Sequence, residues 1–280
     1  MGGIHEKVLF ILVLLLVAFS ISAKGGEEAA SAESAAAVEV GPYADGLYVA
    51  SEDAFSNSGW KYIATLEVEN GYIVTADWNG VFINAGYDKK TVSENGNYKM
   101  VQFGGAQSDW HVQAKAAEAL LLETQDPSAI TYKDDAGHTD DIAGVSIHVV
   151  EFFSLAEEAL AAGTVEVGPY ANGLFHAEAT DFDDNGWKSV VDITVISGNI
   201  VAVNFDSVNA EGESKAILAL EGEYGMVENG GAKASWDVQA RTAADYILTM
   251  QGPAGPVDDV AGVSIYVSDF YVLAMDAMGL

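Results

Sequence analysis

Apolar and polar residues alternate through Ala64, Leu66 and Val68, and again through Val191, Ile193 and Val195. A period of two predicts half-buried β-strands at both places. Each run ends in a turn dipeptide, Asn70-Gly71 and Ser197-Gly198, followed by a second apolar pair, Ile73-Val74 and Ile200-Val201. Such turns accept positive φ and predict antiparallel hairpins. Further on, the period lengthens. Trp110, Ala114, Ala117 and Leu121 recur at helical spacing, as do Trp236, Ala240, Ala243 and Ile247, with Pro127 and Pro253 as stops just beyond. A later apolar stripe, Phe152, Leu155, Ala156 and Ala159, has its counterpart in Phe270, Leu273, Ala274 and Ala277. The pattern predicts the α+β class, an antiparallel sheet packed with helices, built twice.

The duplication is visible in the residues themselves. Val38–Lys61 reads VEVGPYADGLYVASEDAFSNSGWK and Val165–Lys188 reads VEVGPYANGLFHAEATDFDDNGWK. Both units close on Asp-Asp-(Ile/Val)-Ala-Gly-Val-Ser-Ile, at Asp140–Ile147 and Asp258–Ile265, and the first carries about eight extra residues around Ser128–Thr139. A period this long indicates tandem domains, each able to bury its own core, rather than a solenoid. The boundaries fall at 38–163 and 164–280.

Ahead of the repeats, an apolar run from Val8 to Ala23 lies between Lys7 and Lys24. Its length and the small residues at its end fit a signal peptide over residues 1–23, cleaved after Ala23; a retained N-terminal membrane anchor is the alternative. Residues 24–37, rich in Gly, Ala, Glu and Ser, read as a flexible linker. Either way the repeats are expected outside the cytoplasm, in the periplasm or cell envelope, or secreted.

Composition then removes several classes of function. Forty-two acidic residues against 12 basic give a net charge of −30, which works against binding nucleic acid or anionic lipid. Cysteine is absent. That removes disulfides, cysteine-bound zinc, thiol catalysis and a lipid-modified N-terminal cysteine. With five histidines and a calcium-loop-like stretch at Asp181–Gly186 that lacks the terminal Glu, no metal site is expected. No residue set for substrate turnover is evident.

Candidate chemistry concentrates in the closing motif. Gly144 and Gly262 permit close backbone approach, and Ser146 and Ser264 are expected to open the last helix of each unit. Two readings stay open: a phosphate site at a helix N-terminus, or a serine N-cap after a turn glycine. Lys61 and Lys188 are the basic residues that both copies retain beside Gly-Trp, and are candidates for anion contacts. Trp60 and Trp187 fit core packing or stacking on a ligand. Gln113 and Gln239 read as a solvated helix face or as polar contacts to a ligand.

The order of features in the second unit is Asp181–Lys188, a strand, Gly198, Asn204-Phe205-Asp206, a Trp/Gln helix, Gln251, then Asp258–Ser264. This resembles the FMN-binding domain of exported bacterial flavoproteins, over nearly the whole of both units. That family closes on Asp-x-x-(Ser/Thr/Ala)-Gly-Ala-Thr, and its final Thr often carries FMN through a phosphoester made by a flavin transferase. The resemblance implies a cofactor, FMN, attached at Ser146 and Ser264, with Gly144, Gly262, Asp141, Asp259, Lys61 and Lys188 around it. It also implies a flavin transferase and a membrane redox donor as partners, and electron transfer as the function. The alternative is a non-catalytic envelope binding module that kept the fold without flavin. Serine stands here for the family's Thr and can form the same ester. Val145 and Val263 stand for its Ala, and their bulk next to the site is expected to block the transferase or crowd the flavin.

Overall fold

The computed structural model describes residues 41–255 and 260–280. The signal-peptide and linker segments read from the sequence, the first residues of the first unit, and Asp258-Asp259 lie outside the described residues.

The first unit opens with β1 (Gly46–Ser51), β2 (Trp60–Glu69) and β3 (Tyr72–Phe82), an antiparallel sheet in the order β1-β2-β3. Four helices follow: α1 (Lys89–Glu94), α2 (Met100–Gly104), α3 (Trp110–Thr124) and α4 (Val150–Ala162). The second unit repeats the plan with β4 (Gly173–Glu178), β5 (Lys188–Ile196) and β6 (Asn199–Val208), then α5 (Lys215–Leu220), α6 (Trp236–Met250) and α7 (Ser268–Met278). The fold is α+β, two antiparallel three-stranded sheets packed with helices.

Both hairpin turns place two successive residues at positive φ, Asn70 (54°) with Gly71 (79°), and Ser197 (53°) with Gly198 (75°). That geometry matches the right-handed twist of the strands. Gly41 and Gly168 of the repeated Gly-Pro-Tyr motif lie directly on these turns. A Cβ at Gly41 would stand 2.1 Å from the Gly71 carbonyl oxygen, and one at Gly168 2.1 Å from that of Gly198. The motif is therefore a clasp over the hairpin. Its tyrosines, Tyr43 and Tyr170, donate to the carbonyls of Gln125 and Gln251. Those two glutamines end α3 and α6 in the left-handed conformation, and their side-chain amides exchange hydrogen bonds with the backbone of Ile73 and Ile200.

Each unit has its own core. In the first, Leu66, Val68, Ile73 and Trp78 of the sheet meet Trp110, Ala114 and Leu121 of α3 and Phe152, Leu155 and Ala159 of α4. In the second, Val191, Ile193, Ile200 and Phe205 meet Trp236, Ala240, Ile247, Phe270 and Ala274. A third cluster joins the units: Ile63, Val81 and Ala85 pack with Ile196 and Ala202. These residues lie on the sheet faces turned away from the helices, so the two sheets meet back to back. Three hydrogen bonds flank the contact: Thr65 Oγ1 with Ser197 Oγ (2.8 Å), Thr194 Oγ1 to the Gly86 carbonyl (2.7 Å) and Val165 N to the Leu47 carbonyl (2.7 Å).

Candidate functional site

The closing motif is a loop, and its serine does not open a helix. Helix α4 starts at Val150 after Val149, and α7 at Ser268 after Val267, in each case with no side-chain cap. Ser146 and Ser264 lie four residues earlier and are exposed. Neither open reading of the serine, phosphate site at a helix N-terminus or N-cap, describes this geometry.

A buried glutamine holds the loop instead. The Gln113 side-chain carbonyl accepts from Ser146 N (2.6 Å), Ser146 Oγ (3.3 Å) and Ile147 N (3.1 Å). Gln239 accepts from Ser264 N (2.5 Å), Ser264 Oγ (3.0 Å) and Ile265 N (3.2 Å). The amide nitrogens donate back to the carbonyls of Ser108 and Ala234 just ahead of α3 and α6. Both glutamines are 1% exposed, which corrects their reading as a solvated face. A buried amide that accepts from one segment and donates to another fixes both segments it joins.

Gly144 (φ 80°) and Gly262 (φ 87°) make the turn that presents the serine, closed by Val145 N to the Ile142 carbonyl and Val263 N to the Val260 carbonyl. A Cβ at either glycine would meet nothing within 4 Å. The glycine is required by its φ, and the space outside it is open. Val145 and Val263 are half-buried and pack on their unit's core.

The remaining candidates separate from the serine. Asp141 accepts from Thr131 N (2.7 Å) and fastens the extra segment of the first unit to the closing loop; Asp259 lies outside the described residues. Lys61 and Lys188 lie on the sheet face opposite the one that carries the helices, since neighbouring Tyr62 and Val191 face inward. Lys61 stands over the Phe55 ring at 5.0 Å and Lys188 over Phe182 at 5.8 Å. The sheet therefore separates these lysines from Ser146 and Ser264. In the calcium-like stretch, Asp183 Oδ1 accepts from the backbone of Asn185 and Trp187.

Two lysines outside the candidate site residues, Lys89 and Lys215, which are part of what remains here of the lysine-bearing middle segment of the resembled family, are the more unusual ones. Lys89 is 2% exposed. Its ammonium lies 4.9, 4.5, 4.8 and 5.0 Å from the ring centres of Trp60, Tyr62, Tyr98 and Trp110, and donates to Tyr62 Oη at 2.7 Å. Burial pulls its pKa down to about 7, opposed by the carboxylates of Glu151 and Glu52; aromatic faces also favour the charged form. Lys215 occupies the same cage in the second unit, at 4.8, 4.8 and 5.4 Å from Trp187, Tyr224 and Trp236. Trp60, Trp187, Trp110 and Trp236 are thus walls of these cages. The cage abuts the serine loop, because Trp110 and Gln113 lie one turn apart on α3. The signal available in the sequence was the joint recurrence of Lys89, Tyr98 and Trp110 as Lys215, Tyr224 and Trp236 at one fixed spacing.

Beside the first cage, Lys90 pairs with Asp77 and with Glu118, and Glu118 also accepts from Trp78 N at 2.7 Å. Burial lowers the Lys90 pKa, but the two carboxylates outweigh it and hold the ammonium charged. At the matching positions the second unit has Ala216, Asn204 and Ala244, so this buried network belongs to one copy.

No family model matches this chain. A 15 kDa lipoprotein of Treponema pallidum (strain Nichols) is 29% identical over 108 residues, which cover 39% of this chain and 74% of that protein. Among solved structures, the chain is similar to a solution NMR structure of a Clostridium thermocellum protein. That match has 54% identity and a TM-score of 0.36, over 44% of this chain and 94% of that one. It is also similar to a crystal structure of a Clostridium perfringens protein at 21% identity and a TM-score of 0.35, over 44% of this chain and 89% of that one.

Proposed function

We propose that this chain is an extracytoplasmic, two-repeat flavin carrier in which Ser146 and Ser264 are the attachment points for FMN. In this reading FMN, once attached, would supply the redox chemistry for electron transfer between a membrane donor and an external acceptor. The observation that carries it is the duplicated presentation of one hydroxyl: an exposed serine, on an outward glycine turn, held by a buried glutamine, in both units. Gly144 and Gly262 are themselves exposed, and a Cβ on either would meet nothing within 4 Å. The similarity to a protein named as a lipoprotein supports a place in the cell envelope.

The residues present fit an attachment point, and the chain's own part in making the ester is to hold the hydroxyl still. The Gln113 and Gln239 carbonyls orient Ser Oγ, but an amide is no base, so the transferase would have to take the serine proton and release the group displaced from the phosphate of the flavin donor. The backbone N–H groups of Ser146, Ile147, Ser264 and Ile265 are occupied by glutamine. That occupation favours a second reading, in which the closing loop is purely structural and the chain is an envelope binding module without flavin.

Export of the chain together with a flavin transferase separates the two. The carrier reading expects visible flavin absorption that survives denaturation, about half of it lost in Ser146→Ala or Ser264→Ala and all of it lost in the double variant. A colourless wild-type protein, produced beside a transferase active on another acceptor, would favour the binding module.

A further inference from the structure

At one sheet corner the two units differ in a way that leaves a cation facing a cavity. In the second unit Lys188 pairs with Glu178 at 2.8 Å, and His176 pairs with Asp192 at 2.8 Å. The matching residues of the first unit are Lys61, Ser51, Val49 and Thr65. Three of the four polar partners are thus replaced by uncharged residues and the lysine is kept. Among the described residues Lys61 forms no ion pair.

Lys61 also lines a groove of about 450 Å³ between the units, a size typical of small-molecule sites, roughly 300–1,000 Å³. Val49, Val165, Val201 and Leu248 supply apolar walls, beside polar Ser51, Asn199 and Gln251. Two carboxylates are near. Glu52 is engaged, accepting from Tyr62 N at 2.7 Å, while Glu166 is exposed and forms part of the lining. Burial lowers the Lys61 pKa, with Glu52 acting in the opposite sense.

We infer that this groove binds a small amphipathic monoanion, an apolar chain ending in a carboxylate, with Lys61 as the counter-charge and the apolar walls holding the chain. The site is separate from Ser146 and Ser264 and does not depend on flavin. Apolar burial supplies affinity, and the lysine selects the acid over a neutral analogue.

Decanoate below its micellar concentration is the probe, decanol the neutral control, and the full chain the protein, followed by backbone amide shifts in NMR titration. The expected result is saturable decanoate binding with shifts centred on Val49, Lys61, Val201 and Leu248, and decanol about tenfold weaker. Lys61→Met, which keeps the apolar stem, should weaken decanoate about tenfold and leave decanol unchanged. Lys188→Met should change neither, and Glu166→Gln should tighten decanoate. Equal binding of acid and alcohol, equal loss in both lysine variants, or no saturable binding would overturn the inference.

Discussion

Gln113 and Gln239 show how much one side chain can organise. Each carbonyl takes three hydrogen bonds from the loop that presents the serine, and each amide nitrogen fixes the start of its own helix. Gln113→Leu keeps the volume and removes the acceptor, which should cost about 1–3 kcal/mol. Urea unfolding measures that loss, and faster amide exchange at Ser146 and Ile147 locates it. Lys89 gives a second prediction through pH. Its folded pKa, about 7, lies below its ordinary 10.5, so between those values the unfolded chain binds a proton that the native chain does not. Stability should therefore rise with pH from about 7 toward 10. Above 10 it should fall again, because burial raises the pKa of Tyr62 and Tyr98 and only the unfolded chain ionises there freely. Thermal unfolding of wild type against Lys89→Met should show the rise in the first and a smaller rise below pH 10 in the second, the remainder coming from Lys61, whose pKa burial also lowers.

At the scale of elements, the clasp of Gly-Pro-Tyr on the hairpin is the most tightly constrained contact. Gly71 combines a φ of 79° with a Gly41 carbonyl oxygen that a Cβ would approach to 2.4 Å. Gly105 has a similar φ, 67°, and open space. Gly71→Ala should therefore destabilise the protein well beyond Gly105→Ala, whose cost should stay near about 1 kcal/mol; equilibrium unfolding of the two variants checks the difference. Strands, turns and helices were legible because their signals are local: Ala64, Leu66 and Val68 carry the strand period, and Trp110 to Leu121 the helical one. What Gln113 does was not legible, since its partners Ser146 and Ile147 lie far along the chain and nothing local marks a buried amide. The Lys89 cage draws its walls from β2, the loop after α1, and α3, so only its recurrence in the second unit betrays it. The face of Lys61 could have been read from strand parity, because Tyr62 and Ala64 already belong to the inward set.

For the whole molecule, the contact between units is built from different patches of the two copies. Ile63 and Val81 of the first meet Ile196 and Ala202 of the second. The residues matching Ile196 and Ala202 in the first unit are Glu69 and Thr75, which are polar and exposed. The arrangement is heterologous, and those polar residues keep it from propagating through further copies. Ile63→Asp should lower the melting temperature of the full chain by several degrees, as burying an unpaired carboxylate requires. In residues 38–163 expressed alone the same change should have little effect, because Ile63 then faces water. Equal effects in both would mean that the third cluster contributes nothing.

The two closing loops are proposed as equivalent attachment points for one flavin each. Protein exported with a flavin transferase, digested and analysed by tandem mass spectrometry, tests it most directly. The account predicts FMN on two peptides, with fragment ions assigning it to Ser146 and Ser264. Flavin assigned to any other residue, or both peptides unmodified beside a transferase shown to be active, would contradict it.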